Sequence, residues 1–183
     1  PPADLSAMLK SSPSAPAQAD APRTESPAAQ TTAEAASPAV APLTLQLASV
    51  GYVVLAVEQS DPGAPELGRE AQQLFANLLK VFRGQSRRLN RFTWPMLDQP
   101  DDALAMTFQH FAAHLRGASK VLLCVSDDNA ARLAAGPRYQ RQQWGEQTVL
   151  AVSSLEEMLA EPQAHKARSW QAMLTQGFAQ QGE

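Results

Sequence analysis

The segment Tyr52–Val57, YVVLAV, constrains this chain more than any other. It offers no polar face, so as a strand it must be covered by protein on both sides. Sheets covered on both faces belong to α/β architectures, where helices lie above and below. Lys120–Val125 (KVLLCV) repeats the pattern, and Gln147–Val152 reads as a last strand. Two more stretches qualify in weaker form. Leu43, Leu45 and Leu47 alternate with Thr44, Gln46 and Ala48, as in a half-buried strand, and Arg87–Trp94 suits a short one.

Helical periodicity fills the intervals. Ala71, Leu74, Phe75, Leu78, Leu79 and Phe82 share one stripe, with Gly84 as its stop. Leu104, Phe108, Phe111 and Leu115 recur at helical spacing between a capping Asp101 or Asp102 and Gly117. Ser126 and Asp127 can cap a short helix ending before Gly136, after which a polar loop is expected. Ser153 or Ser154, followed by Glu156 and Glu157, opens a C-terminal helical region broken near Pro162. The alternation predicts α/β: a single three-layer domain over 43–176, with a mostly parallel central sheet of about four to five strands flanked by helices. Residues 177–183 are expected to form a flexible tail.

The chain ahead of Leu43 is of another kind. Residues 1–42 are dominated by Pro, Ala, Ser, Thr and Gln and hold no aromatic side chain. Such a composition cannot offset a backbone ordering cost of roughly 1–2 kcal/mol per residue, so a disordered linker is expected. Leu5, Met8 and Leu9, at i, i+3 and i+4, form its apolar cluster and could make one amphipathic turn. Fifteen basic against eighteen acidic side chains give a net charge of −3, which argues against whole-surface attraction to nucleic acid. One cysteine, Cys124, excludes an internal disulfide framework and fits a reducing, cytoplasmic setting. No apolar run approaches the roughly 20 residues that span a bilayer, so no membrane partner is expected.

Candidate chemistry is sparse, and no catalytic residue, metal or cofactor is expected. Glu58–Gly63 follows the carboxyl end of a buried strand, where open α/β sheets bind ligands. Glu58, Ser60 and Asp61 could serve a pocket there, but neither a dinucleotide fingerprint nor a P-loop is present. His110 and His114 lie on one helix face without the glutamate of a zinc protease motif, and His165 has no evident orienting partner. Cys124, inside a strand, reads as a small inert hydrophobe. Two basic stretches carry aromatics: Lys80, Arg83, Arg87, Arg88 and Arg91 with Phe82, Phe92 and Trp94, and Arg138 and Arg141 with Tyr139 and Trp144. Basic residues beside aromatics suit single-stranded nucleic acid or a protein partner, and a plain solvated face is the alternative. Arg91, Trp94, Arg141 and Trp144 are the candidate partner contacts.

Read together, these segments resemble the psi accessory subunit of bacterial DNA polymerase III. The resemblance is carried by Val53–Glu58, the helix with Leu74–Leu79, "RFTWPM" at Arg91–Met96, "KVLLCV", and "VLAVSSLEEMLAEPQAHKARSWQAML" from Val149 to Leu174. It covers about residues 43–176 and contains no diagnostic motif. It implies a non-catalytic bridge from the clamp-loader tau and gamma subunits to the chi subunit, and through chi to single-strand DNA-binding protein and DNA. Leu5, Met8 and Leu9 would belong to the arm that docks on the clamp-loader collar, and its aromatic anchor is expected upstream of Pro1.

A second resemblance, to the uracil-DNA glycosylase superfamily, concerns the pocket. Glu58–Gly63 stands where that family has its G-E-x-P-G loop, Gly68 and Gln72–Leu79 are similar to its next helix, and Leu159, Pro162, Lys166 and Trp170 match its ending. Ser154 and Leu155 stand where its catalytic His-Pro pair belongs, and Val57 replaces the glycine before Glu58. The resemblance therefore implies a degenerate pocket of Glu58, Ser60, Asp61, Gly63 and Ser154. Residual or altered activity on nucleic acid is the alternative function, and a cell-envelope protein with a Pro/Ala-rich spacer is a second.

Overall fold

The computed structural model describes residues 40–51, 53–82, 89–115 and 119–179. The chain divides into two units, Pro1–Ala41 and Pro42–Glu183, and every element below belongs to the second. Leu5, Met8 and Leu9 lie outside the described residues, as do Arg83, Arg87 and Arg88.

Six strands form one sheet: β1 (Leu43–Val50), β2 (Val53–Glu58), β3 (Leu89–Trp94), β4 (Lys120–Cys124), β5 (Arg141–Trp144) and β6 (Gln147–Val152). Among the described residues five helices accompany them: α1 (Arg69–Val81), α2 (Leu104–Ala113), α3 (Asp127–Arg132), α4 (Leu155–Ala160) and α5 (Ala167–Thr175). A π-type turn, Pro162–Lys166, joins the last two. The strand order is β3-β1-β2-β4-β6-β5.

The sheet is mixed, which corrects the expectation of a mostly parallel one. Only β2, β4 and β6 run parallel as neighbours, with Leu55 beside Leu122 and Leu122 beside Leu150. β1 is antiparallel to β2 and to β3, and β5 is antiparallel to β6. The expected half-buried β1 is instead enclosed on both faces: Leu43, Leu45, Leu47 and Ala48 are all within 1 % of full burial, and Thr44 is also buried. β5 is the sixth strand, lying where the sequence suggested only a polar loop.

Side-chain alternation sorts the core into two layers. On one face Ala48, Leu55, Val57, Leu122, Cys124, Leu150 and Val152 pack against Leu74, Phe75 and Leu78 of α1, Leu155 and Met158 of α4, and Met173 of α5. Each Val, Leu, Phe or Met side chain among them contributes roughly 1.5–3 kcal/mol of burial. On the other face the aromatics gather. Phe92 stacks on Trp94 with ring centroids 6.5 Å apart, and meets Phe108 and Phe111 of α2 at 5.0 and 5.3 Å. Phe108 continues to Trp144 at 6.0 Å.

Two end effects differ from expectation. Asp101 does not cap α2; it lies in a short 3-10 turn, Asp101–Ala103, and its carboxylate accepts hydrogen bonds from Arg132 and from the Trp94 indole. The expected flexible tail does not start at residue 177. Phe178 and Ala179 are buried, and both donate their N–H groups to the Met173 carbonyl.

Candidate functional site

The parallel strands β2, β4 and β6 end together, at Glu58, Cys124 and Val152, so the loops that follow meet at one edge of the sheet. The first loop is held from within by Gln59. That side chain is 2 % exposed. Its amide donates to the Asp61 and Ala64 carbonyls at 2.9 Å each and accepts from Gln46 at 2.6 Å. The Gln59 N–H reaches the Thr44 carbonyl, and the Thr44 hydroxyl reaches the Pro62 carbonyl. Arg91, from β3, donates to the Pro65 and Ala64 carbonyls. The loop is therefore tied to β1, β3 and itself.

Beside it lies a cleft of about 550 Å³ lined by Glu58–Asp61, Ala64, Glu66–Ala71, Leu155, Glu156 and Leu159. Its ionisable groups are Glu58, Asp61, Glu66, Glu70 and Glu156, against Arg69. Such a lining repels phosphates. The Glu58 carboxylate accepts the Ser126 backbone N–H at 2.8 Å, which ties the ends of β2 and β4. Asp61 turns back to its own loop, accepting the Gly63 N–H at 3.1 Å. Ser60 is exposed. At Gly63 a side chain would find only ordinary contact, 3.6 Å from Asp61, so no close backbone approach demands glycine.

Ser154 is not among the residues lining the cleft. Its hydroxyl accepts the Glu157 N–H at 3.2 Å while the Glu157 carboxylate accepts the Ser154 N–H at 2.9 Å. This is a reciprocal capping box that starts α4. The S-x-x-E spacing of Ser154 and Glu157 announces it in the sequence.

Behind the cap lies a polar cluster that the sequence did not reveal. His165 has a partner after all: its Nδ1 is 2.8 Å from the Ser153 hydroxyl, which lies 2.6 Å from the Tyr139 hydroxyl. Tyr139 adopts a left-handed backbone, φ +70°, secured by its N–H on the Ala151 carbonyl. The guanidinium of Arg168 covers its ring at 4.1 Å. Arg138 donates to Glu157 at 2.6 Å and to the Val125 carbonyl at 3.0 Å, joining the end of β4 to the start of α4. Burial works to raise the Glu157 carboxyl, but the Arg138 hydrogen bond, the Ser154 donors and the guanidinium charge hold it below its ordinary value.

A serine beside a histidine invites a test as a nucleophile. Ser153 is fully buried. The N–H groups that could stabilise an oxyanion are already used: that of Ser153 donates to Ser169 and that of Ser154 to Glu157. The carboxylates nearest His165 Nε2, Glu161 and Glu157, stand at 3.8 and 4.0 Å, beyond hydrogen-bond reach. What the cluster does is lock the end of β6 to α4 and α5.

The proposed partner contacts separate by face. Alternation along β3 puts Arg91 and the Phe92/Trp94 pair on opposite sides, so they form no basic stacking platform. Trp94 is 2 % exposed, and Trp144 is 9 % exposed with its indole on the Ala134 carbonyl. Arg141 remains exposed on the edge strand β5. His110 and His114 are exposed, and no group of metal-binding side chains is found among the described residues. Among those residues, too, no helix is long and apolar enough to cross a membrane. Comparisons with protein-family models, curated proteins and solved structures found no match.

Proposed function

We propose that this chain is a non-catalytic, psi-like accessory subunit of bacterial DNA polymerase III, acting in the cytoplasm. In this reading its α/β domain binds chi, which contacts single-strand DNA-binding protein, while its N-terminal arm reaches the clamp-loader tau and gamma subunits. The observation that carries the reading is the fate of the polar groups at the carboxyl edge. Glu58 is spent on the Ser126 N–H and Ser154 on a helix cap, where the resemblance to glycosylases would require groups facing a base. A glycosylase extrudes its base into a fitted pocket and hydrogen-bonds it there. An acidic cleft whose loop is bonded to itself supports a fold kept for its surfaces.

Calorimetric titration of the full chain with purified chi from the same source tests the reading. A one-to-one complex is the expected result. A heatless titration with no co-elution on gel filtration would reject it. Release of uracil from single- or double-stranded oligonucleotides, lost on Glu58→Gln, would establish the enzymatic alternative instead.

A further inference from the structure

On the sheet face that carries α1, α4 and α5, these helices do not close fully on one another. Between them and the π-type turn runs a groove of about 510 Å³. Leu78, Met158 and Met173 line it, 8 %, 2 % and 2 % exposed. Trp170, partly buried, lines it as well. Among the described residues, Lys166, exposed, is the one charged residue in the lining. Its sign is opposite to the net charge of the chain, −3, and to the carboxylate-rich cleft at the sheet edge.

We propose that this groove docks an acidic amphipathic helix of a partner protein. A groove framed by helices and lined by apolar side chains takes the apolar stripe of another helix, through anchors at i, i+3 or i+4, and i+7. Methionines suit such a surface because their unbranched, polarisable side chains repack around different anchors. An indole in the lining is the kind of residue that dominates interface energies. Lys166 then selects the sign of the helix: a Glu or Asp beside the apolar stripe gains an attraction that a Lys would turn into repulsion. The π-type turn places Lys166 in the lining together with Pro162 and Gln163. The inference goes beyond the replication reading, since it holds for any partner that supplies such a helix.

The test is a displayed library of amphipathic helices of about 16 residues, a little over four turns, with a fixed leucine stripe and flanks randomised among Glu, Gln and Lys. It is panned on the full chain and on two variants at exposed positions, Lys166→Glu and Ala167→Arg. The native chain is expected to enrich Glu-flanked helices. Lys166→Glu should weaken the selected peptide about tenfold and shift enrichment toward Lys, and Ala167→Arg should abolish it by filling the groove. Asn77→Arg, on the α1 wall and also exposed, replaces Ala167→Arg if that variant is not folded. Enrichment that ignores the charge at residue 166, survives both arginine variants, or does not occur overturns the proposal. A failed chi titration with the Glu preference intact rejects the replication reading alone, and the converse rejects only the groove.

Discussion

Arg138 joins the end of β4 to the start of α4 at the carboxyl edge. Its guanidinium touches Glu157, the Val125 carbonyl and, at 3.6 Å, Asp127. Removing it by Arg138→Met leaves the Glu157 carboxylate half-covered without its main partner, a loss of about 1–3 kcal/mol at neutral pH. The sign of the pH dependence follows from the direction of the shift. Glu157 is held below its ordinary 4.5 in the folded chain. Its contribution is therefore complete above that value and is lost as pH falls through the depressed one. Urea unfolding at a series of pH values should show the native and Arg138→Met curves converging as pH falls below the ordinary 4.5. A gap that does not narrow as pH falls through the acid range would mean that Arg138 acts by packing alone. None of this was legible beforehand, since Arg138 and Glu157 are 19 residues apart and meet only once β6 and α4 are placed. The Ser154 cap, by contrast, is written in four consecutive residues.

Local pattern served the elements unevenly. α1 was readable because its apolar stripe is long and one-sided, and β4 because KVLLC admits no solvent face. β5 was not, because RQQW on an edge strand needs only one covered side chain, Trp144. Its pairing depends on the two-residue turn Gly145–Glu146, with Gly145 at φ +59°, which suits a hairpin of type II′. The preceding loop has its own requirement. Gly136 has φ +72°, and a Cβ there would come within 2.4 Å of the Gln142 side chain. Gly136→Ala is therefore expected to cost more than about 1 kcal/mol by thermal unfolding. Gly63→Ala should stay within about 0.5 kcal/mol of the native chain, because neither backbone nor neighbours require glycine there. The comparison separates a glycine that shapes a site from one that merely lies in a similar loop. A strongly destabilised Gly63→Ala would restore the case for a built ligand loop.

For the whole molecule, the fold class was legible and the strand order was not. Continuous apolar strands demand cover on both faces, and that requirement alone yields helix layers around a sheet. It does not say that β1 sits between β2 and β3, since alternation in LTLQLASV suits a solvated edge as well as an interior position. Cys124 offers a probe of how cooperatively these layers hold. It is the single thiol, fully buried in the layer shared by α1, α4 and α5, and burial pushes its pKa up to about 12. At pH 8 only roughly one thiol in ten thousand would then be ionised even if a reagent could reach it. Labelling by a thiol reagent must therefore wait for an opening that uncovers this layer, because the Cys124 side chain projects from the sheet face into the core beneath these helices. If the sheet and both helix layers open as one unit, the opening free energy from labelling rates should equal that from urea unfolding. A markedly lower value would show that α4 and α5 detach on their own, exposing this layer while the sheet persists. That outcome would place the groove on a dynamic part of the molecule, where a docked helix would add stability in proportion to its occupancy.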